Sequence, residues 1–203
     1  MCAFVYHQTI SNMRVIAGTY RGRRLRTIGG LAVRPTSDRL RETLFNILNP
    51  RIKGSRFLDI CAGSGAVGIE ALSRGASGVT LIESSRQTCA VIEANLSALG
   101  IAGEATIINR DAEAALKLLE QESSEFDVVF FDPPYASGVY GRVMNRLGSG
   151  DLLKAGALVV VEHRAKIPPE PEYGKLRMFR EAKQGESALA FYEAELLDGK
   201  KPL

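Results

Sequence analysis

The tetrad Asp132-Pro133-Pro134-Tyr135 combines residue types that could activate an amine attached to a nucleobase, and it directly follows the apolar run 128–131. Such an amine is a poor nucleophile because its lone pair is delocalised into the ring. An ionised Asp132 only accepts hydrogen bonds, so this carboxylate and the carbonyl of Pro133 could hold the two N–H groups and free the lone pair. Tyr135 could stack on a base that has left its helix or loop. The tetrad therefore indicates methyl transfer from S-adenosylmethionine, a reaction in which positioning matters more than a strong base.

A glycine-rich turn after the apolar run 57–61 is the second candidate site. Its glycines follow the pattern G-x-G-x-x-G, and the apolar spacing then changes to the helical period. A strand, a glycine turn and a helix in this order let a nucleotide-like ligand approach the backbone beside unpaired helix N–H groups. Glycine turns also occur for conformational reasons alone, so the pattern needs support from other positions. The predicted cofactor contacts in this segment are Asp59, Gly63, Ser64, Gly65 and Gly68.

Acidic residues stand at the ends of four predicted strands: Asp59, Glu83, Asp111 and Asp132. Glu83 comes about twenty residues after the glycine turn, where an acid bonds ribose hydroxyls in nucleotide-binding folds. Asp111 is also typical of a plain helix N-cap. Ligands of doubly wound sheets bind at the carboxyl ends of the strands, so we expect these acids to surround one ligand.

Strands and helices alternate over most of the 203 residues, which predicts an α/β fold with a doubly wound, mostly parallel, seven-stranded sheet and an antiparallel edge pair. We divide the chain into an N-terminal extension (1–12), a basic β-hairpin with its connector (13–36), one α/β domain (37–197) and a tail (198–203). Strands are predicted at 57–61, 79–82, 105–108, 126–131, 157–161, 175–181 and 187–196, and helices at 37–48, after the glycine turn, at 89–99, at 112–119 and, broken by Gly148 and Gly150, within 139–153.

Positive charge is concentrated near the N-terminus. Residues 14–56 hold eleven Arg or Lys against two acids, whereas the rest of the chain holds fifteen basic and twenty-one acidic residues. A basic segment on an acidic body predicts a nucleic-acid contact surface. The predicted phosphate contacts are Arg21, Arg23, Arg24, Arg34, Arg39 and Arg41.

Composition narrows the setting in which the protein works. The three cysteines are too few and too scattered for a disulfide framework or a metal site. No apolar run is long enough to span a bilayer, and the N-terminus has no signal-peptide pattern. We therefore expect a cytoplasmic protein without a metal or a membrane partner.

These segments together resemble the class I S-adenosylmethionine-dependent methyltransferases and, more narrowly, the RsmD family of bacterial 16S ribosomal RNA guanine-N2 methyltransferases. The resemblance covers about residues 13–192, and the first methionine of the family falls on Met13. The matching motifs are Met13–Gly18, Tyr20–Leu25, Arg34–Arg39 with Glu42 and Leu44–Asn46, Phe57–Ala71, Asp132–Tyr135 and Val161–His163.

The resemblance implies a Rossmann-like sheet with seven strands and specific roles for single residues. Gly63, Gly65 and Glu83 would contact S-adenosylmethionine, Asp111 with Ala112 would lie by its adenine, and 132–135 would form the amine pocket. The implied substrate is the N2 amine of a guanine in the helix 31 loop, near the ribosomal P site. The implied partner is 16S ribosomal RNA in assembling or assembled small subunits, with the enzyme acting as a monomer.

Other enzyme classes use parts of the same patterns. An NAD-dependent oxidoreductase shares the glycine turn and Glu83 but has no use for the Asp132 tetrad. DNA adenine-N6 methyltransferases share the pocket chemistry, although the 68 residues after Tyr135 leave little space for a target-recognition domain. Protein glutamine methyltransferases have Asn where this chain has Asp132. Cytosine-C5 enzymes need a catalytic thiol, commonly next to proline, and Cys2, Cys61 and Cys89 do not fit.

A non-catalytic RNA-binding module is the alternative outside enzymes. Such a module would keep the basic hairpin but would not depend on Asp132. Methylation of an adenine N6 or of another exocyclic amine, in another RNA or in DNA, remains the alternative among enzymes.

Overall fold

The computed structural model describes residues 13–27, 38–133 and 138–195. Predictions for Arg34, Pro134 and Tyr135, and for the N-terminal extension and the C-terminal tail, lie outside the described residues. The helices are α1 (Asp38–Ile52), α2 (Ala66–Ser73), α3 (Arg86–Leu99), α4 (Ala112–Gln121) and α5 (Val139–Ser149). The strands are β1 (Arg56–Ile60), β2 (Gly78–Ile82), β3 (Ala105–Ile108), β4 (Phe126–Phe131), β5 (Leu153–Arg164), β6 (Glu172–Tyr173), β7 (Leu176–Gln184) and β8 (Ser187–Ala194).

All eight strands form one sheet in the order β3-β2-β1-β4-β5-β8-β7-β6. Strands β1 to β5 pair in parallel, and β6 to β8 continue the sheet with antiparallel pairs. The order reverses between β1 and β4, which makes their carboxyl ends the topological switch point where ligands of such sheets bind. This confirms the predicted doubly wound, mostly parallel fold.

The predicted number of seven strands was wrong by one. The additional strand, β6, has two residues and pairs only with β7. Two residues are too few to show an alternating pattern, so this strand has no signature in the sequence.

Apolar layers cover both faces of the sheet. Alternate strand residues such as Phe57, Leu81 and Val160 pack with α1, α2 and α3 on one face, and their neighbours pack with α4 and α5 on the other. Burial on both faces explains why the parallel strands are almost continuously apolar.

The segment after β4 differs most from its prediction. Gly148 was expected to break the helix, but it lies inside α5. A Cβ at Gly148 would come within 1.9 Å of the carbonyl oxygen of Tyr173, so this glycine permits close packing of α5 on β6. Strand β5 begins at Leu153, four residues earlier than predicted, because the chain resumes pairing with β4 before a register shift in this ladder.

Candidate active site

One residue of each of the four central strands lies level with the others where β1, β2 and β4 end. Ile60 pairs with Ile82 on one side and with Phe131 on the other, and Phe131 pairs with Val161. The residues that follow these four form one row, which lies at the carboxyl ends of β1, β2 and β4, whereas β5 continues past it to Arg164 and pairs there with β8. We call this set the edge row; in the order β2, β1, β4, β5 it consists of Glu83, Cys61, Asp132 and Glu162.

The glycine turn lies directly above β1 and adopts the backbone conformation that glycine permits. Gly63 and Gly65 have φ angles of 55° and 76°, in the left-handed region. The N–H of Gly63 donates to Oε2 of Glu83 (3.1 Å), so the turn is bound to the edge row. Gly68 serves packing instead, because a Cβ there would come within 2.8 Å of Leu81 in β2. Two of the three predicted glycines therefore shape the turn, and the third leaves space for β2 to pack against α2.

Asp59 lies beneath the turn. Its side chain is buried, and Oδ2 accepts the N–H of Gly68 (2.9 Å) in the first turn of α2. Burial, opposed by the Gly68 hydrogen bond and assisted by the nearby charge of Glu83, raises the pKa of this carboxyl to about 7. Asp59 thus supports the turn from below, and its direct contact with a cofactor stays a prediction.

Glu83 is the centre of the hydrogen bonds at this edge. In addition to Gly63, its carboxylate accepts the N–H of Ser85 (2.8 Å), the N-cap of α3. Asn109, at the end of β3, donates to the carbonyls of Glu83 (3.0 Å) and Ser84 (2.9 Å). Asn109 was not among the predicted residues, because only acids were predicted at strand ends, although Asn109 also directly follows a strand.

Cys61 separates Glu83 from Asp132 in the edge row. Its φ of 65° is unusual for a residue with a side chain. Burial raises the pKa of its thiol to about 12, and the carboxylates of Glu83 and Asp132 add to this shift. The thiol therefore stays protonated, and the negative charges of both carboxylates favour this protonated form.

Asp111 and Ser64 have structural partners as well. Oδ1 of Asp111 accepts the N–H of Ala114 (2.9 Å), so this residue caps α4, and Ala112 is the buried first residue of that helix. Ser64 Oγ donates to the sulfur of Met13 (3.2 Å). These bonds are compatible with the predicted cofactor contacts, which stay predictions.

The predicted hairpin is a compact loop with a single bridge between Arg14 and Arg24. We call residues 13–27 the basic loop. The exposed side chains of Arg21, Arg23 and Arg24 lie on it, and Arg23 donates to the carbonyl of Ala98 at the end of α3 (3.1 Å). Three arginines predicted to contact RNA are thus exposed on the same loop.

Buried polar side chains hold the basic loop against the domain. The carboxylate of Glu70 in α2 accepts the N–H groups of Ile16 (2.7 Å) and Ala17 (3.0 Å). Asn95 in α3 exchanges two hydrogen bonds with the backbone of Arg26 and donates to the carbonyl of Ser64 (3.0 Å). Asn95 therefore connects the basic loop to the glycine turn, and neither anchor was predicted from the sequence.

The structure corrects the prediction that Arg41 contacts RNA. Its side chain is buried, and Nη2 donates to the carbonyl of Arg14 (2.8 Å) and to Oδ1 of Asp38 (2.7 Å). Arg41 precedes Phe45 and Leu48 by four and seven residues, which places it on the apolar stripe of α1. That spacing was the available signal. Arg39, in contrast, is exposed.

A cleft of about 420 Å³ separates the basic loop from the start of α1. Arg14, Arg21 and Arg39 contribute its positive charge, and Asp38 and Glu42 contribute two acids. The arginines face a common space of a size that suits a nucleotide or a phosphate group.

Residues 13–193 match the family model described as "Conserved hypothetical protein 95". The ribosomal RNA small subunit methyltransferase D of Escherichia coli K12 is 39% identical over 191 residues, which cover 93% of each chain. The protein of the same name from Haemophilus influenzae is 42% identical over 157 residues, covering 77% of this chain and 81% of its own. The solved structure of Escherichia coli yhhF is 40% identical, with a TM-score of 0.77, and the match covers 90% of this chain and 98% of that one.

This chain belongs to the Conserved hypothetical protein 95 family. The resemblance noted in its motifs is thereby confirmed, and the match begins at Met13, the first residue of the basic loop. In this family member, Glu83 and Asp132 share the edge row, whereas Asp59 lies below it and Asp111 lies at the neighbouring strand end.

Two further observations bear on the candidate site. Within 13–27, 38–133 and 138–195, no cluster of three or more His, Cys, Asp or Glu side chains could hold a metal ion. None of the helices in these ranges is long and apolar enough to cross a membrane.

Proposed function

We propose that this protein transfers a methyl group from S-adenosylmethionine to the N2 amine of a guanine in 16S ribosomal RNA. The proposed target is the helix 31 loop of the small subunit, and the product is N2-methylguanosine. The names of the relatives from Escherichia coli and Haemophilus influenzae support a ribosomal RNA substrate. The position of Asp132 in the edge row carries the proposal for the amine.

The glycine turn and Glu83 fit the proposed cofactor. A Cβ at Gly63 would stand in open space, so this glycine leaves the turn uncovered, and Glu83 stands at the end of β2, where ribose hydroxyls are bound in related folds. When bound, S-adenosylmethionine supplies a methyl group on a positively charged sulfur. The remaining task of the protein is to bring a weak nucleophile into line with that methyl group.

Asp132 is suited to this task by its place next to β1. Its N–H bonds the carbonyl of Ile60 (3.3 Å), which fixes the backbone one strand away from the glycine turn. The carboxylate and the carbonyl of Pro133 accept the two N–H groups of the guanine N2 amine and direct its lone pair at the methyl group. The amine nitrogen forms the new bond as the sulfonium C–S bond breaks, and the extra proton leaves to solvent.

The basic loop supplies the contact with the RNA backbone in this proposal. Its exposed arginines and the neighbouring cleft attract phosphates irrespective of sequence. A methyltransferase acting on a small uncharged molecule would have no evident use for this arrangement.

Product analysis tests the proposal. Labelled S-adenosylmethionine is incubated with under-modified small subunits, free 16S RNA or DNA, and the methylated nucleoside is identified by mass spectrometry. We expect N2-methylguanosine from subunits or 16S RNA, mapped to helix 31. N6-methyladenine would instead establish the alternative exocyclic-amine reaction. Cofactor binding without transfer to any of these substrates would contradict the proposed substrate.

A further inference from the structure

Glu162 is the member of the edge row to which the proposed reaction gives no role. It lies on β5 with only 5% of its surface exposed, although carboxylates are rarely buried. Because Phe131 pairs with Val161, the next residues, Asp132 and Glu162, stand side by side on adjacent parallel strands. Adjacent strands lie about 4.8 Å apart, so the two acids are close neighbours.

Both acids belong to the same face of the sheet. Val128 and Phe130 on β4, and Leu158 and Val160 on β5, pack in the layer formed with α1, α2 and α3. Because side chains alternate between the two faces along a strand, Asp132 and Glu162 belong to this same face. Glu162 also pairs with Leu189 of β8, which packs in that same layer.

The neighbouring histidine belongs to the opposite face. His163 follows Val161, which packs against α4 and α5. Its Nε2 approaches Oε1 of Glu181 (3.4 Å), and its Nδ1 lies 2.9 Å from the carbonyl oxygen of Arg164. His163 therefore has its own carboxylate neighbour, and Glu162 lies on the same face of the sheet as Asp132, on the adjacent strand.

The order of the edge row places the proposed cofactor contact and Glu162 on opposite sides of Asp132. Glu83 lies two strands away from Asp132, on the side of the glycine turn, whereas Glu162 lies on the other side of Asp132. A base whose amine reaches Asp132 between them can extend its ring only away from the cofactor, toward β5. Glu162 is thus placed at the part of the ring next to the amine.

The next atom of guanine after the N2 amine is the N1–H, a donor, whereas adenine has an unprotonated acceptor beside its amine. We propose that Glu162 accepts the N1–H of the target guanine while Asp132 accepts from the N2 amine, so that Glu162 determines specificity for guanine. This inference rests on the proposed function. A carboxylate opposite the N1 lone pair of adenine would be repelled, and a site built to bond a donor discriminates strongly against analogues without it.

An RNA with 2-aminopurine at the target position tests the role directly. This base keeps the N2 amine but lacks a hydrogen on N1. With small subunits reconstituted on guanine or 2-aminopurine RNA, we expect kcat/KM of the unaltered enzyme to be at least about a hundredfold higher for guanine. Equal methylation of the two bases would overturn the inference without any variant.

The Glu162→Gln variant tests whether this side chain causes the preference for guanine over 2-aminopurine. An amide both donates and accepts, so we expect the preference for guanine over 2-aminopurine to fall at least about tenfold, with the affinity for S-adenosylmethionine unchanged. Glu193→Gln is the matched control, because Glu193 lies on neighbouring β8 opposite Leu158, four residues before Glu162, and approaches Arg51. It should keep the full preference.

The outcomes separate the two proposals. An unchanged preference in a folded, cofactor-binding Glu162→Gln variant would overturn the role of Glu162 alone. Failure of the unaltered enzyme to form N2-methylguanosine on the guanine substrate would overturn the proposed function itself. If Glu162→Gln does not fold, Glu162→Asp, which shortens the reach to N1, should lower kcat/KM for guanine more than for 2-aminopurine.

Discussion

The edge row and the basic loop are held in place by different forces. The edge row ends strands whose residues are buried on both faces by apolar side chains. The basic loop adds only Met13, Val15 and Leu25 to the apolar core and is also held by a few buried polar groups, chiefly Glu70, Ser73 and Asn95. Apolar burial is spread over many residues, whereas the removal of one buried polar partner leaves others unsatisfied. Single substitutions should therefore detach the loop from the domain, whereas single substitutions should not displace the edge row from the sheet.

Removal of the Asp132 carboxylate tests the edge row most directly. We expect Asp132→Ala to lower the methylation rate by about three orders of magnitude, because the amine loses its acceptor, with cofactor affinity retained. Single-turnover kinetics and calorimetry measure the two quantities. Asp127→Ala, at the other end of β4 beside Lys154, is the control and should keep the rate. A rate within tenfold of the unaltered enzyme would contradict the role of Asp132.

Removal of the Glu70 carboxylate tests the attachment of the basic loop. Glu70→Ala leaves two backbone N–H groups and the half-buried Arg74 without their acceptor. We expect the free energy of unfolding to fall by about 3 kcal/mol. Limited trypsin digestion should also cleave the loop faster at its arginines while the sheet stays protected.

A surface ion pair gives the control for this substitution. Glu113 pairs with Arg142, and both side chains are largely exposed. Glu113→Ala should change stability by less than about 1 kcal/mol and leave the digestion pattern unaltered. Equal losses in the two variants would mean that Glu70 does not anchor the loop.

The pKa of Asp59 predicts a pH dependence that belongs to the sheet and not to the loop. Unfolded, this carboxyl releases its proton near pH 3.8, whereas the folded protein keeps the proton until about pH 7. Raising the pH through this window therefore lowers the free energy of unfolding, because the carboxylate must ionise while buried. Asp59→Asn should remove this slope, on the order of 2 kcal/mol between pH 5 and pH 8. Denaturation curves at several pH values would refute the assignment if both proteins keep the same slope.

The smallest expected effect concerns the charges of the basic loop. Replacing Arg23 and Arg24 with Ala should weaken RNA binding by about tenfold and make it less dependent on salt, because phosphate neutralisation is lost. Affinity for S-adenosylmethionine should not change. Arg180→Ala with Lys183→Ala removes the same charge from β7 and serves as the control. Unchanged RNA affinity and salt dependence in the loop variant would exclude this role.

The difference between the edge row and the basic loop also explains which features could be predicted from the sequence. The bounds of β3 and β4 were predicted to the residue, because apolar runs and turn residues mark buried strands. The acids and glycines of the edge were found because each follows such a strand. The burial of Arg41 and the anchors at Glu70 and Asn95 were missed, since a polar residue on a helix is ordinarily exposed and its partner is distant in the chain. The register that places Glu162 beside Asp132 also needed the structure, because strand order cannot be read from spacing alone.

Cys61 has a consequence for the protein under oxidative stress. Peroxides and alkylating agents react with thiolates, and a thiol with a pKa of about 12 is almost never ionised near neutral pH. Burial, assisted by the acids of the candidate site, therefore protects this cysteine from oxidation. Methyl transfer in this protein should withstand oxidants that inactivate enzymes with reactive active-site cysteines.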